Sequence, residues 1–395
     1  MVSNLLIAHG GAPTAVINAS LYGAVTEAKK YTTISNVYGA IHGTAGILAE
    51  EFVTLSEVPQ RLLNLLPHTP ASAIGTSRTP LTDSDYVAMA HILKKHDIKY
   101  LLFTGGNGSM DTCGKLYQAC KGQELFVAGI PKTIDNDIAV IDHAPGFGSA
   151  ARFVVQSVRE AAQDVQAMPI HVSVIEVMGR NAGWLTAAAA LARKQPGDAP
   201  HILCLPEHPF DEDAFLAQVK ELYARLGGVV VVASEGLRNK AGKPIVPPIF
   251  TVGRATYYGD VSAYLAELII KKLGIKARSE KPGLLGRCSA AHQSSVDRAE
   301  AIELGAAAVR AVMEGRCGVM AGLKRISSSP YRCETVLVPI EQVMLEERTL
   351  PAEFITQDGG NVTEQFVEWC RPLLGEELPE FVSFLPNRDN AIQNG

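Results

Sequence analysis

The sequence predicts an α/β protein built from two Rossmann-like, three-layer domains with mostly parallel sheets. Short runs rich in valine, isoleucine and leucine recur along the chain and are apolar on both faces, as in strands covered by helices on both sides. Most of these runs end in a glycine-rich or polar turn that leads into a helical pattern. The 395 residues are enough for two domains with separate cores.

Five apolar runs define the predicted parallel strands, and each is followed by an unusual turn. In chain order the runs and turns are NLLIA before HGGAPT, KYLLF before TGGNGSMDT, LFVAGI before PKTIDND, HVSVIEV before MGRNAGW, and GGVVVVA before SEGLRNK. Ligands of such sheets bind beyond the carboxyl ends of the strands. We therefore expect the functional residues in these five turns.

Composition excludes several classes of function. The formal net charge of −5 gives no reason to expect nucleic acid or a membrane surface as a partner. The first residues lack the pattern of a signal peptide, and no apolar run has membrane-spanning length. The 7 cysteines are scattered without a C-x-x-C pair, which is typical of reduced thiols and predicts neither disulfides nor zinc. We expect a soluble, cytoplasmic protein that acts on small molecules.

Two of the turns have the composition of phosphate-binding loops. In 9–20 and in 104–112 the glycines let the backbone approach a ligand, and the helix that follows offers free N–H groups. Neither turn matches G-x-G-x-x-G or the P-loop pattern, which argues against a dinucleotide oxidoreductase. Glycine turns that only pack remain the alternative, although two such loops in one sheet favour a polyphosphate between them.

The turn PKTIDND is the sharpest chemical signal in the sequence. Asp135 and Asp137 are two residues apart, so one can accept a hydroxyl proton while the other reaches a divalent metal. Thr133 can donate a hydrogen bond to a phosphoryl oxygen, and Lys132 can neutralise one. The alternative is an ordinary solvated turn, in which aspartate and asparagine are common.

Two later segments add cations and a carboxylate. Arg180 follows a strand and suits developing phosphoryl charge, and Glu235 follows the next strand and can accept hydrogen bonds from a sugar hydroxyl. In ARSEKPGLLGR, Arg278, Lys281 and Arg287 lie in a short, loop-like segment that suits a substrate phosphate. Ordinary salt bridges or a solvated basic face would explain the same residues.

Taken together, these segments closely resemble the phosphofructokinase family. The matching strings are GGAPTAVINAS, GTSR, GGNGSMDT, PKTIDND, DHAPGFGSAAR, EVMGRNAGW, SEG and GRCSAAHQSSVDR, and they run to about residue 300. The resemblance implies the phosphofructokinase fold and phosphoryl transfer onto the 1-hydroxyl of fructose 6-phosphate, with Mg²⁺ as cofactor. It also implies a homodimer or homotetramer with sites shared between subunits.

The resemblance assigns a role to each matched residue. Asp135 would be the general base, with Thr133, Arg180 and Lys132 completing the catalytic set. The donor would be bound by Gly11, Arg78, Asn107, Gly108, Ser109 and Lys132, and metal would be held by Asp137 and Asn107. The substrate would be bound by Thr133, Asp135, Met178, Gly179, Arg180, Glu235, Arg278, Lys281 and Arg287.

The family divides into users of ATP and users of pyrophosphate, and the residues favour pyrophosphate. Lys132 and Lys281 resemble lysines of the pyrophosphate type, and Ile41 lies near where ATP users often present an aromatic side chain to adenine. Gly108 argues for ATP, because pyrophosphate users usually have an aspartate there that obstructs the nucleotide. ATP therefore stays the alternative donor.

Three other positions depart from the family pattern. Asn107 replaces a usual aspartate, His171 lies where ATP users have an arginine for the 6-phosphate, and Leu284 lies where histidine or tyrosine is usual. These changes leave other acceptors open, such as sedoheptulose 7-phosphate or an unphosphorylated polyol. They also leave open that the chain is a non-catalytic regulatory relative.

The resemblance also predicts the domain organisation. Residues 1–145 with roughly 288–335 would form a larger, donor-binding domain. Residues 146–287 with 336–395 would form a smaller, sugar-phosphate-binding domain. The stretch after about residue 325 matches no motif and carries no predicted role.

Overall fold

The structure is a computed structural model that describes residues 3–120, 122, 124–195, 197–252, 255–344 and 346–385. Strands and helices alternate along most of the chain. The strands are β1 Ser3–His9, β2 Ile34–Ala40, β3 Phe52–Thr54, β4 Ile98–Gly105, β5 Phe126–Pro131, β6 Val172–Val177, β7 Ile202–Cys204, β8 Val229–Ser234, β9 Pro248–Val252, β10 Ala255–Tyr258, β11 Ala277–Glu280, β12 Val319–Ser328 and β13 Tyr331–Pro339.

The α-helices are α1 Ile17–Ala28, α2 Thr44–Ala49, α3 Gln60–Leu63, α4 Asp83–Lys95, α5 Asn107–Ala119, α6 Phe147–Ala167, α7 Trp184–Ala188, α8 Glu212–Leu226, α9 Val261–Leu273, α10 Leu284–Cys288, α11 Ser295–Met313 and α12 Glu364–Cys370. Single 3₁₀ turns occupy Leu55–Glu57, Leu66–His68, Ala189–Ala192, Ile340–Gln342, Ala352–Phe354 and Arg371–Leu374.

The chain divides into two compact units. Unit 1 comprises Met1–Ala150 and Arg287–Arg348, and unit 2 comprises Ala151–Gly286 and Thr349–Gly395. The chain therefore first passes from one unit to the other within helix α6. The predicted donor-binding and sugar-binding roles of the two parts of the chain stay predictions.

Unit 1 is built on a sheet of order β13-β12-β5-β4-β1-β2-β3. The strands from β12 to β2 pair in parallel, and β13 and β3 add antiparallel edges. Alternate residues of β1 enter opposite cores: Leu6 packs in the cluster with α4 and α5, and Leu5 packs in the cluster with α1 and α11. Helices therefore cover both faces, which explains why the strands are apolar throughout.

Unit 2 contains a smaller parallel sheet of order β11-β6-β8-β7 and a separate antiparallel pair, β9 and β10. One face of the parallel sheet packs against α8 and α9 through Val174, Val231, Val219 and Leu265. The predicted α/β class with mostly parallel sheets is confirmed. No helix among the described residues is long and apolar enough to cross a membrane.

Candidate active site

The unit 1 sheet has a topological switch point between β1 and β4. From β1 the chain continues to its neighbour β2 on one side, whereas from β4 it continues to β5 on the other. The loops after β1 and β4 consequently diverge at the carboxyl edge, where parallel sheets bind ligands. These loops are the two glycine-rich turns selected from the sequence.

Close packing holds the two glycine-rich turns together. The Gly11 N–H donates to the Ser77 carbonyl (3.0 Å), and the Thr76 hydroxyl donates to the Gly11 carbonyl. Gly11 has φ +74°, a conformation that favours glycine, and a Cβ at Gly10 would overlap the Ser109 hydroxyl. The predicted donor residues Gly11 and Ser109 are thus brought together, with Arg78 exposed beside Ser77.

Lys132 is the buried cation at this edge. Its side chain is 4% exposed, and its Nζ donates to the Ala12 carbonyl at 2.5 Å. Its backbone N–H donates to Gly105 (2.9 Å), so the residue connects the turns after β1, β4 and β5. Burial lowers the pKa of the Lys132 ammonium to about 8, and the nearby Asp135 carboxylate opposes that change.

The PKTIDND turn leaves β5 as a loop rather than a helix and presents Asp135 half-buried. The Asp135 N–H donates to the Thr133 hydroxyl at 3.1 Å, while the Thr133 N–H donates to the Pro145 carbonyl at 3.1 Å. Thr133 is buried and thereby fixes the backbone on which the Asp135 carboxyl is carried. The turn is therefore an ordered part of the edge, unlike the solvated turn that was its alternative.

Asn107 and Asp137 meet across the turns after β4 and β5. The Asn107 Nδ2 donates to Asp137 Oδ2 at 3.0 Å and to the Asp137 carbonyl at 3.2 Å. The Oδ1 atoms of both residues are buried and have no hydrogen-bond partner among the described residues. Burial raises the pKa of the Asp137 carboxyl, and the Asn107 hydrogen bond acts in the opposite direction.

In unit 2 the predicted sugar-binding residues gather at the carboxyl ends of β6 and β8. The Glu235 N–H donates to the Val177 carbonyl (3.0 Å), and the Ser234 hydroxyl donates to the Gly179 carbonyl (2.7 Å). Met178 is half-buried and Arg180 is exposed. The Arg180 guanidinium lies 5.5 Å from the centre of the Tyr258 ring, which suits a cation–π contact.

The predicted basic cluster is not a loop. Arg278 lies within β11, where it is exposed, and Arg287 lies in the short helix α10 and belongs to unit 1. Lys281 forms ion pairs with Glu176 (Nζ to Oε1, 3.1 Å) and with Asp260. These two carboxylates offset the charge of Lys281. To bind a substrate phosphate, the Lys281 ammonium group would have to break both ion pairs.

His171, which departs from the family pattern, lies directly before β6, and its carbonyl accepts a hydrogen bond from the Val229 N–H (3.3 Å). It is buried, and its Nδ1 has no hydrogen-bond partner among the described residues. Burial and the neighbouring Arg278 charge lower the pKa of His171. The residue is therefore neutral at physiological pH, unlike the arginine to which the family pattern compares it.

The family model described as phosphofructokinase matches residues 4–312. The chain belongs to the phosphofructokinase family. It is similar to the pyrophosphate--fructose 6-phosphate 1-phosphotransferase of Rhodospirillum rubrum, with 39% identity over 99% of this chain and 98% of the relative. It is also similar to the sulfofructose kinase of Alkalicoccus urumqiensis, with 32% identity over 94% of this chain and 95% of the relative.

A solved structure supports the same family. The crystal structure of the pyrophosphate-dependent phosphofructokinase from Nitrosospira multiformis superposes with a TM-score of 0.88 and 33% identity, covering 98% of this chain and 95% of that one. The resemblance inferred from the sequence motifs is therefore confirmed, and so is the phosphofructokinase fold. The roles of the individual site residues stay predictions.

Residues to which the sequence assigned no individual role also contact this phosphofructokinase site. The Ala12 carbonyl binds Lys132, and Thr76 binds Gly11. Arg348 donates to the backbone of the PKTIDND turn, although it lies beyond the segment that the family model matches. Backbone carbonyls carry no signal in a sequence, and Arg348 stands in a stretch without a recognisable motif.

Proposed function

We propose that this chain transfers a phosphoryl group from pyrophosphate to the 1-hydroxyl of fructose 6-phosphate, giving fructose 1,6-bisphosphate. The observation that carries the proposal is the position of Lys132. This buried cation lies among the turns after β1, β4 and β5 at the carboxyl edge of the unit 1 sheet. Its Nζ contacts the backbone of the first glycine-rich turn. A fixed charge in such a place suits a small, highly charged donor.

The residues of unit 1 would then perform most of the chemistry. Asp135 would accept the proton of the attacking hydroxyl, and Thr133 would donate a hydrogen bond to the moving phosphoryl group. Lys132, Gly11, Gly108, Ser109 and Arg78 would bind the donor. In unit 2, Met178, Gly179 and Glu235 would hold the sugar and Arg180 would stabilise phosphoryl charge. Positioning and electrostatics account for nearly all of the catalysis in such reactions.

Asn107 and Asp137 fit a Mg²⁺ ion. Each presents a buried Oδ1 atom without a hydrogen-bond partner among the described residues, and carboxylate and amide oxygens are ligands that Mg²⁺ accepts. A bound Mg²⁺ would neutralise part of the charge on the donor phosphates. The asparagine in place of aspartate leaves this pair with one negative charge instead of two.

Gly108 is the observation that favours ATP as the donor. A Cβ at this position would meet no atom within 4 Å, so the space beside the first turn of α5 is open. The alternative of an ATP-dependent 6-phosphofructokinase therefore deserves a direct test. With either donor, the reaction is phosphorylation of a sugar hydroxyl.

His171 favours a test of other acceptors. A buried, neutral imidazole binds a phosphate more weakly than an arginine does. The protein would therefore offer less positive charge to the phosphate of the acceptor. Sedoheptulose 7-phosphate is one alternative acceptor. The relative named sulfofructose kinase makes a sulfonated fructose a second.

The proposal is tested by incubating purified protein with Mg²⁺, either pyrophosphate or ATP, and each acceptor in turn, and following the phosphorus NMR spectrum. We expect fructose 1,6-bisphosphate to form fastest. Faster turnover of the sulfonated sugar or of sedoheptulose 7-phosphate would change the acceptor. The absence of product with every acceptor, with ATP as well as pyrophosphate, would indicate a non-catalytic relative.

A further inference from the structure

The loop that carries Asp135 and Asp137 has an unusual backbone. Between the end of β5 and the start of α6, Asn136 has φ +52° and Val140 has φ +72°. Positive φ is uncommon outside glycine and is an outlier for a β-branched residue such as valine. A loop in this conformation persists only when its surroundings hold it there.

Arg348 supplies much of that support. Its backbone N–H donates to the Asp137 carbonyl at 2.8 Å. Its guanidinium donates from Nη1 to the Ile141 carbonyl at 2.6 Å and from Nη2 to the Asn136 carbonyl at 3.2 Å. One side chain thus ties together the two ends of the segment 136–141, which contains the proposed metal ligand.

The neighbouring backbone extends this contact. Glu347 and Ile138 form an antiparallel bridge, so residues 347 and 348 lie against the loop as a short strand would. Arg348 is the last residue of unit 1 before the chain passes into unit 2. Arginine suits the task because its rigid, planar fork can reach two carbonyls at once, whereas lysine presents a single point charge.

We propose that Arg348 is a positioning residue that fixes the 136–141 segment and thereby aligns Asp137 and the adjacent Asp135 for phosphoryl transfer. It lies outside the segment 4–312 that defines the family match, and it does not touch the reacting groups in the mechanism above. The kinetic part of the inference rests on the proposed function. The structural part does not.

The test compares Arg348→Met, Arg348→Lys and the control Arg310→Met. Arg310 also lies in unit 1 and forms ion pairs with Glu303 and Glu27, but these residues belong to helices α1 and α11 and not to the loop. For each protein, hydrogen–deuterium exchange of peptides spanning 134–144 is measured without substrate. Steady-state kinetics with pyrophosphate and fructose 6-phosphate give kcat and KM, and thermal unfolding reports the folded fraction.

Arg348→Met, which loses the guanidinium hydrogen bonds to the 136–141 segment, should differ from the control in both exchange and kcat. We expect faster exchange in 134–144 and a kcat reduced by about tenfold to a hundredfold, since small displacements of reacting groups have effects of this size. The KM for fructose 6-phosphate should change little, and Arg310→Met should keep wild-type exchange and kcat. Arg348→Lys, which can satisfy one of the two carbonyls, should lie between the two and serves if the methionine variant does not fold.

Two results would overturn the inference. One is unchanged exchange in 134–144 when Arg348 is replaced, and the other is faster exchange with a wild-type kcat. If the unmodified protein transfers no phosphoryl group, the proposed function fails, and the exchange comparison alone decides whether Arg348 holds the loop.

Discussion

Asp135 is the side chain on which the proposed chemistry depends most. It is half-buried at the carboxyl edge of the unit 1 sheet, and its backbone is fixed through Thr133. The replacement Asp135→Ser should lower kcat by roughly 10²–10⁴-fold or more, the usual contribution of a general base. Folding and fructose 6-phosphate binding should persist, as measured by thermal unfolding and calorimetry. Substantial turnover by this variant would refute the assignment of the base.

The protonation of Lys132 should make the use of pyrophosphate depend on pH. Because burial lowers the pKa of its ammonium to about 8, the free protein holds the charged form below that pH and the neutral amine above it. The kcat/KM for pyrophosphate, which reports the free enzyme, should therefore fall as pH rises through about 8.

The variant Lys132→Met serves as the control for that pH profile. It should show a lower kcat/KM at neutral pH and no remaining fall near pH 8 that can be attributed to this residue. A fall of the same size in the variant would assign the titration to another group or to the donor itself.

Among the elements of unit 1, His143 links the connection between β5 and α6 to helix α11. Its Nδ1 lies 2.8 Å from Asp142 Oδ2 and its Nε2 lies 2.7 Å from Glu300 Oε2. Burial acts to lower the pKa of His143, but the Glu300 and Asp142 carboxylates raise it to about 9. Arg325 also pairs with Asp142 (3.1 Å), so two cations face two carboxylates.

The sign of the resulting pH dependence follows from the raised pKa. The stabilisation from protonated His143 is complete below the ordinary pKa of 6.5 and is lost as pH rises through about 9. The free energy of unfolding should therefore fall by on the order of 3 kcal/mol over this range from this group. Denaturant melts of wild type and His143→Gln at several pH values measure it. An equally steep fall in the variant would contradict the role of His143.

The crossing of α1 and α11 depends on glycine. A Cβ at Gly23 would overlap the Ile302 carbonyl oxygen, and a Cβ at Gly305 would overlap the Ser20 carbonyl oxygen. Because these obstacles are backbone atoms, Gly305→Ala should destabilise unit 1 by about 1–3 kcal/mol through overpacking. The matched control is Gly108→Ala, because Gly108 also lies in a helix of unit 1, has no positive φ, and a Cβ there would meet no atom within 4 Å. Comparable destabilisation in control and variant would indicate a backbone effect and not a packing effect.

Across the chain, the sequence predicts the strands of the parallel sheets well because burial on both faces leaves a local, readable pattern. Val229–Ser234 is an example, since each of its residues is buried. The antiparallel hairpin of β12 and β13 was not predicted. The second half of β12 and most of β13 are half-buried or exposed, and they lie in the stretch without a motif.

For the candidate site, the sequence likewise predicts some features and not others. The five turns could be found from the sequence because parallel strands bring their carboxyl ends to the same edge of a sheet, which holds for three turns in unit 1 and for two turns in unit 2. The partners of individual side chains could not be found, since they come from distant parts of the chain. Lys281 is engaged by Glu176 and Asp260, and Arg348 reaches Asn136, and neither contact leaves a local pattern.

The donor decides between the central proposal and its nearest alternative. The most direct measurement is the ratio of kcat/KM for pyrophosphate to kcat/KM for ATP, with Mg²⁺ and saturating fructose 6-phosphate, for one preparation of the unmodified protein. Because the buried Lys132 favours pyrophosphate, we expect a ratio well above one. Robust formation of fructose 1,6-bisphosphate from ATP with none from pyrophosphate would contradict it.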